Sequence, residues 1–558
     1  MKTLRTKIRK VTSTPKGKII GAVIMLVMVV GVSLGIFYWN AIKRQFIRRQ
    51  VATNVQEKTD RLYHIDYDNM ELDEVAGNLS VSNLRLAYDS SRYFALRETG
   101  DEPSMLFTVE IPSIQITGVQ TPKALLTKEI VAGKLRVDHP VIEILYTQEG
   151  KDSSKRVPPN EVYKQILGEL QMIKMDTLLI TGAQIITRVM QSGKQKLEIL
   201  DAHLELRQVL IDSTSNLDSS RMLFAKHLDV FCAKMEWTSA NQLYNYSIEE
   251  VEMHSDQEQI KVGSFKVIPT LGEEKFTAKV GIQADRYDLD FRDIRLQSIN
   301  FPQLLNERIM ADSVILQASV KIYRDMTLPE DKRSKIGTYP HQKLVQIPLP
   351  LEIKKLILKN TFIEYKEHSP VTQKIGKVTF DQVNATFDNV TNIKAATASV
   401  MTADIHALFL KKTPVHTLWR FYLFNPKGRF DIKGELKAMD ATEINSLTEP
   451  LGGVRAEKGR INDLRFNFKG QDYGMDGTVK FLYNDLKIAL LKKEEDKKAL
   501  QEKKLASWGA NMIIKNDNPS RKEKPRIANV HFDRVTNRSI FHLSWKTLFE
   551  GVKKTALP

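Results

Sequence analysis

From Asn78 to Tyr88 (NLSVSNLRLAY) apolar and polar side chains take turns. The same period of two returns in KLRVDHPVIEILY (Lys134 to Tyr146), HLELRQVLI (His203 to Ile211) and SVILQASVKIY (Ser313 to Tyr323). It continues in RFDIKGEL (Arg429 to Leu436) and RFNF (Arg465 to Phe468). Successive side chains of a strand point to opposite faces, so each stretch predicts a β-strand with one apolar face. GTVKFLYNDLKIALLKK (Gly477 to Lys493) predicts two such strands joined at Tyr483-Asn484-Asp485. Long βαβ helices are missing, so a parallel sheet is not expected.

Helical patterns are few. PPNEVYKQILGEL (Pro158 to Leu170) opens with prolines where a helix tolerates them. DATEINSLTEPLGG (Asp440 to Gly453) offers Asp440 as N-cap, Glu443 three residues on, and Gly452-Gly453 as a stop. Lys492 to Ile514 reads as a polar helix that turns amphipathic. RSIFHLSWKTLFEGVKK (Arg538 to Lys554) puts Ile540, Leu543, Thr547 and Leu548 on one side, a helix that either caps the sheet or rests on a membrane.

The layout repeats. Ile111 to Tyr146 matches Phe291 to Tyr323: a strand, a short helical turn ending in Leu-Leu, then strands closing on Tyr. Met175 to Ile185 parallels Lys354 to Ile363 at nearly the same offset along the chain, which argues for a repeated structural unit.

One stretch has no alternation. Ile19 to Trp39 carries no charge and, at 1.5 Å per residue, would reach about 31 Å as a helix, the thickness of a bilayer core. It predicts an uncleaved transmembrane helix. Seven basic residues precede it and four follow, which places the N-terminus in the cytoplasm and the bulk of the chain outside. Of the 558 residues 42% are hydrophobic and 27% charged, enough to build a real core. The net charge of +16 is densest from Met1 to Lys18, against the apolar run, so membrane topology accounts for it and no nucleic-acid partner is expected. Cys232 is the one cysteine, excludes an intramolecular disulfide, and reads as a buried thiol.

Neither G-x-x-x-x-G-K-[ST] nor G-x-G-x-x-G occurs, and the eleven histidines show no HExxH and no close pair suited to a metal. Asp66 with Asp68 and Asp288 with Asp290 are i,i+2 pairs in strand-like segments, which places them on a solvent face. The one G-x-S-x-G match, Gly31 to Gly35, lies inside the apolar run. No catalytic residue, metal or cofactor follows, and the chain is not read as an enzyme.

A one-sided sheet must bury its apolar face against a second sheet, by closing into a barrel, or by curling on itself; periodicity leaves these three open. Candidate inner-face residues are Leu135, Val137, Leu204, Leu206, Val320 and Ile322, and farther on Phe430, Ile432, Phe466, Phe468, Val479 and Phe481. Each is either core packing or the lining of an apolar groove.

The stretch from Gly428 to Leu491 resembles the AsmA-like family of Gram-negative envelope proteins. Its layout is strand, short helix before Gly452-Gly453, a strand opening Gly459-Arg460-Ile461, the Gly477 strand, and Tyr483-Asn484-Asp485-Leu486-Lys487. The order of an apolar span, NLSVSNLRL and IPSIQITGV is similar too. The resemblance implies a single-pass inner-membrane protein with its bulk in the periplasm. Its fold would be mostly β: a transmembrane helix, then a long, repetitive, curled antiparallel sheet forming a taco-like groove, few short helices, and a C-terminal helical cap. It implies phospholipid acyl chains, the inner membrane and envelope proteins as partners. The function it implies is shielding or conducting those chains between inner and outer membranes, in support of outer-membrane integrity. A closed-core envelope scaffold is the alternative, and an anchored hydrolase a more distant one. The chain then divides into a basic tail (1–18), the span (19–39), a linker and first strand (40–72), two β-rich repeat units (73–290 and 291–427), an AsmA-like C-terminal β region (428–491), and a charged helix with an amphipathic cap (492–558).

Overall fold

Along Asn78–Tyr88, alternation puts Leu79 and Val81, then Leu84 and Leu86, on one buried face. The step from Val81 to Leu84 breaks the period of two, and Asn83, at φ 50°, absorbs the phase change. That strand belongs to a computed structural model that describes residues 59–73, 75–120, 128–147, 167, 170–193, 195–215, 218, 220–395, 399–490, 515–520 and 523–556. The chain divides into two units, one drawn from residues up to Thr238 with Tyr246–Gly263, the other from Ser239–Asn245 with Ser264 onward.

In the first unit β1 (Tyr63–Asp66) and β2 (Asn69–Asp73) both run antiparallel to β3 (Asn78–Tyr88), which pairs with β4 (Met105–Thr117). Strand β4 pairs antiparallel with β5 (Glu129–Asp138) and with β6 (Val141–Tyr146). Both of these lie parallel to β7 (Met172–Val189), which turns back antiparallel into β8 (Gln195–Ile211) and on to β9 (His227–Thr238). Strands β10 (Tyr244–His254) and β11 (Gln259–Pro269) contribute residues to both units. Helix α1 (Ser90–Glu98) is capped by the Asp89 carboxylate, which accepts from the Arg92 N–H, and lays Tyr93 and Leu96 on Leu106.

The second unit begins with helix α2 (Glu273–Val280) and β12 (Asp285–Gln297). Strand β12 is antiparallel to β13 (Ile309–Asp325), which is parallel to β14 (Leu351–His368), which is antiparallel to β15 (Ile375–Thr391). From there β16 (Val400–Phe409), β17 (Thr413–Tyr422) and β18 (Phe430–Leu436) follow antiparallel. Strand β20 (Val454–Gln471) takes both β18 and the two-residue β19 (Met439–Asp440), then pairs with β21 (Gly474–Leu490), and β21 with β22 (Ile527–Asp533). Short helices α3 (Phe301–Leu305), α4 (Pro340–Val345) and α5 (Asn445–Gly452) sit in connections, and α6 (Ile540–Ala556) packs on β21 and β22.

The same pairing order occurs twice: β4, β5 with β6, β7, β8 in one unit, and β12, β13, β14, β15 in the other. Irregularities recur with it. Gly182 (φ 62°) and Asp201 (φ 49°) sit at two of the three shifts in the β7–β8 register, and Asn360 (φ 43°) and Gln382 (φ 50°) at the two shifts of β14–β15. Each is an extra residue in one strand, which bends it and increases its twist. Gly182 lies as far from Asn360, and Asp201 nearly as far from Gln382, as the matched sequence blocks lie from each other.

Several expectations are corrected. The sheets are mixed, not antiparallel throughout, because β5 and β6 lie parallel to β7 and β13 parallel to β14. A parallel return needs a crossover, not a long helix, and the stretch from Met326 to Pro350 supplies one with only the short α4 in it. Gly477 to Leu490 is not two strands. It is the greater part of one strand, because Asp485 at φ 49°, with Gly459 at φ 127° across from it, takes up a bulge without ending the pairing to β20.

The transmembrane helix is corrected too. Among the described residues no helix is long and apolar enough to cross a membrane. The longest of them, α6, has 17 residues and so spans about 25 Å, short of a bilayer core, and buries its apolar side on the sheet. The segment Ile19–Trp39 lies outside the described residues. The single-pass inner-membrane topology, the periplasmic placement and the membrane-anchored lipid-conducting function, all of which rest on that helix, therefore find no support in the fold and are not retained. Most of Pro158–Leu170 and all of Lys492–Ile514 also lie outside the described residues.

Candidate functional site

Strand registry brings the inner-face residues into rows. In the first unit Leu135 lies beside Leu178, Leu178 opposite Leu206, and Leu206 opposite Leu228. The next row runs Val137, Ile180, Leu204, Val230. Leu135, Val137 and Leu206 are buried, and Leu204 is half-buried.

In the second unit one row is Leu289, Val320, Ile363, Phe380, Phe409, and the row beside it is Tyr287, Ile322, Tyr365, Val378. Every member is apolar or aromatic, yet each is half-buried except Tyr287, which is exposed. The strands β12–β16 therefore leave their apolar side partly open. Tyr365 donates to Glu367 at 2.9 Å and Tyr287 to Asp285 at 3.2 Å, so the second row ends in hydroxyls tied to carboxylates. Desolvation of the two hydroxyls, reinforced by those carboxylates, pushes both phenols well above their usual range, although the Tyr287 side chain as a whole is exposed.

Toward β18–β22 the same face is sealed. Phe430, Ile432, Phe468, Val479 and Phe481 are buried and Phe466 half-buried, in one core with Leu543 and Ile540 of α6. Glycines make the close fit. A Cβ on Gly434 would fall on the Phe466 ring and one on Gly470 on the Phe430 ring; Gly551 of α6 leaves the same space for Val479. A fully satisfied polar knot lies against this core. Arg534 donates to Asp472 at 3.1 Å and to the Lys335 carbonyl at 2.7 Å, with its guanidinium 4.0 Å over the Tyr339 ring. Beside it the His341 ring, wholly buried against Phe421 and Tyr339, has no hydrogen-bond partner on either nitrogen among the described residues. Burial pulls its pKa down to about 4; the Gly428 backbone, out of hydrogen-bonding geometry, opposes this only weakly.

The outer face holds a cluster that the spacing of histidines in the sequence did not reveal. His406 of β16 lies directly opposite His416 of β17, and their rings stack 4.1 Å apart with 5° between planes. Asp404, two residues before His406 on the same face, brings its Oδ1 within 2.8 Å of His416 Nε2 and 3.2 Å of His406 Nε2. These three groups can hold a metal ion, their ligand atoms lying within 4.8 Å of one another. The histidines stand well apart in sequence, and only the hairpin register unites them; two His at matched alternation phases around a turn was the one available signal.

Other ionisable groups are paired structurally. Asp68 accepts from Arg85 and Asn83, and Asp290 from Arg292. Arg207 ties Asp229 to Asp256, with His254 on Asp229. Cys232 is buried, and burial raises its thiol pKa. No protein-family model matches the chain, and no curated protein matches it either.

Proposed function

We propose that this is a binding protein rather than an enzyme, and that the half-open rows of β12–β16 hold an extended apolar chain of the kind a lipid acyl group presents. The observation that carries the reading is the incomplete burial of Val320, Ile363, Phe380 and Phe409, on a face that is sealed only farther along, from β18 to β22. Five strands at about 4.8 Å spacing make a row of about 19 Å, comparable to an extended acyl chain. Each CH₂ taken from water onto such a row contributes about 0.8 kcal/mol, with no polar lock needed. The repeated strand order and the resemblance of Gly428–Leu491 to AsmA-like proteins support the same class of binding surface. The reading concerns the β body alone and includes no anchorage or passage between membranes.

The experiment is site-specific photo-crosslinking in the full chain, with a radiolabelled fatty acid as probe. A photoreactive residue at Val320 or Ile363 is expected to capture the probe, and one at the outward Lys321 is not. Equal capture at Lys321, or none at either inner position, overturns the reading and leaves the rows as ordinary packing.

A further inference from the structure

We propose that Asp404, His406 and His416 form a binding site for a divalent transition cation of the zinc type on the outer face of the β16–β17 hairpin. The backbone sets the arrangement. Directly opposed positions of an antiparallel pair hold their Cβ atoms about 4.5–5.5 Å apart, and an i,i+2 neighbour shares the face. His406 and His416 occupy the opposed positions and Asp404 the i−2 position.

Both Nε2 atoms converge on a single carboxylate oxygen. Four-coordinate zinc takes His nitrogen at about 2.0–2.1 Å and carboxylate oxygen at about 2.0–2.2 Å, so its ligand atoms stand roughly 3.3 Å apart. Ligand atoms already within 4.8 Å of one another can close on an ion once the two stacked rings tilt, so that both Nε2 lone pairs, which lie in the ring planes, point at it. Two imidazole nitrogens and one carboxylate suit zinc, and also copper or nickel, far better than calcium or magnesium, which prefer all-oxygen shells.

One position of the tetrahedron stays open for water. The next carboxylate along the row is Glu435, directly opposite His416 on β18 and held by Lys437 at 2.9 Å. Without a cation Asp404 shares a hydrogen bond with His416 and only an ion-pair contact with His406; the cation would replace both by three coordinate bonds.

The test is isothermal titration of ZnCl₂ into the untagged full chain freed of metal by a chelator, with a chromophoric zinc chelator in competition. One equivalent is expected to bind, and H406Q, H416Q and D404N each to weaken it by about tenfold or more. H531Q, which removes the exposed histidine between Asp476 and Asp533, is the control and is expected to leave that affinity unchanged. Circular dichroism of each variant checks that the fold is kept, which the solvent-facing position of the cluster predicts. Absence of binding, or binding of equal strength in the folded H406Q/H416Q double variant, overturns the proposal.

Discussion

Arg534 and Asp472 form an ion pair from which water is excluded: their side chains are 1% and 4% exposed, with the guanidinium 3.1 Å from the carboxylate. The pair joins the segment after β22 to the β20–β21 turn. Asp472 also accepts from Gln342 at 2.9 Å and from the Gly337 N–H, so the long crossover after β13 is fastened at the same point. Removing one partner leaves the other charge buried and uncompensated. Asp472→Ala is expected to destabilise the second unit by about 3–5 kcal/mol, read as a lower midpoint of urea unfolding. Replacing both residues by apolar ones of similar volume should cost much less.

Aromatic rings over glycines make a second prediction. Phe430 is fully buried and has no room to move away from a Cβ at Gly470. Gly470→Ala should cost about 1–3 kcal/mol by overpacking, and Phe430→Ala about 3–5 kcal/mol by leaving a cavity. Thermal unfolding of the two single variants and their double tests this. The double should fall short of the sum, because Gly470 and Phe430 share one space.

His341 makes stability depend on pH. Unfolded, its ring takes a proton near pH 6.5; folded, only near 4. Between those values the unfolded chain binds more protons, so this contribution is complete above pH 6.5 and falls as pH drops toward 4, by up to about 3 kcal/mol. His542, also held down to about 4 by burial, acts with the same sign. His531 acts oppositely, since hydrogen bonding to Asp476 and Asp533 raises its pKa and its contribution is lost as pH rises. His341→Phe should flatten the fall in unfolding midpoint from pH 6.5 to 4; an unchanged slope would assign it to other groups.

The two sides of α6 should respond differently. Leu543 is fully buried in the core and Trp545 is 47% exposed. Leu543→Ala is expected to cost about 2–5 kcal/mol. Trp545→Ser should cost at most about 1 kcal/mol, since it removes only surface stacking on Phe549. Denaturation midpoints of the two variants provide the comparison.

The bulges predict an unusual tolerance for glycine. At φ 43° Asn360 occupies the left-handed region, where a β-branched side chain is crowded. Asn360→Val should destabilise by about 1–2 kcal/mol, whereas Asn360→Gly should be nearly neutral. Thermal midpoints of the pair test it.

Much of the β architecture was legible in the residues alone. Alternation along Asn78–Tyr88, His203–Ile211, Ser313–Tyr323 and Arg429–Leu436 marked strands and their apolar faces, since a period of two is a local property of extended backbone. The repeat was visible because the second copy keeps its order of elements at nearly constant offset. Asp440 was readable as a helix cap, although it caps the 3₁₀ turn Ala441–Ile444 that leads into α5, and its carboxylate bonds the Thr442 N–H rather than reaching one residue farther. Tyr483-Asn484-Asp485 was misread as a turn, because Asn and Asp favour left-handed backbone in bulges and turns alike.

Which strands face each other was another matter. Alternation is silent on pairing, so the parallel joins at β7 and β14 emerged only when long crossovers placed those strands. Burial divided residues of identical pattern: Val320 and Ile322 stay half-open, while Phe468 and Val479 lie under α6. His406 and His416 became neighbours through hairpin register, and Arg534 found Asp472 from far along the chain. Sequence by itself determined what each segment can be, because backbone sterics and side-chain phase act over a few residues. The tertiary structure alone decided which polar groups meet and which apolar rows are sealed, because both depend on contacts between segments far apart in the chain.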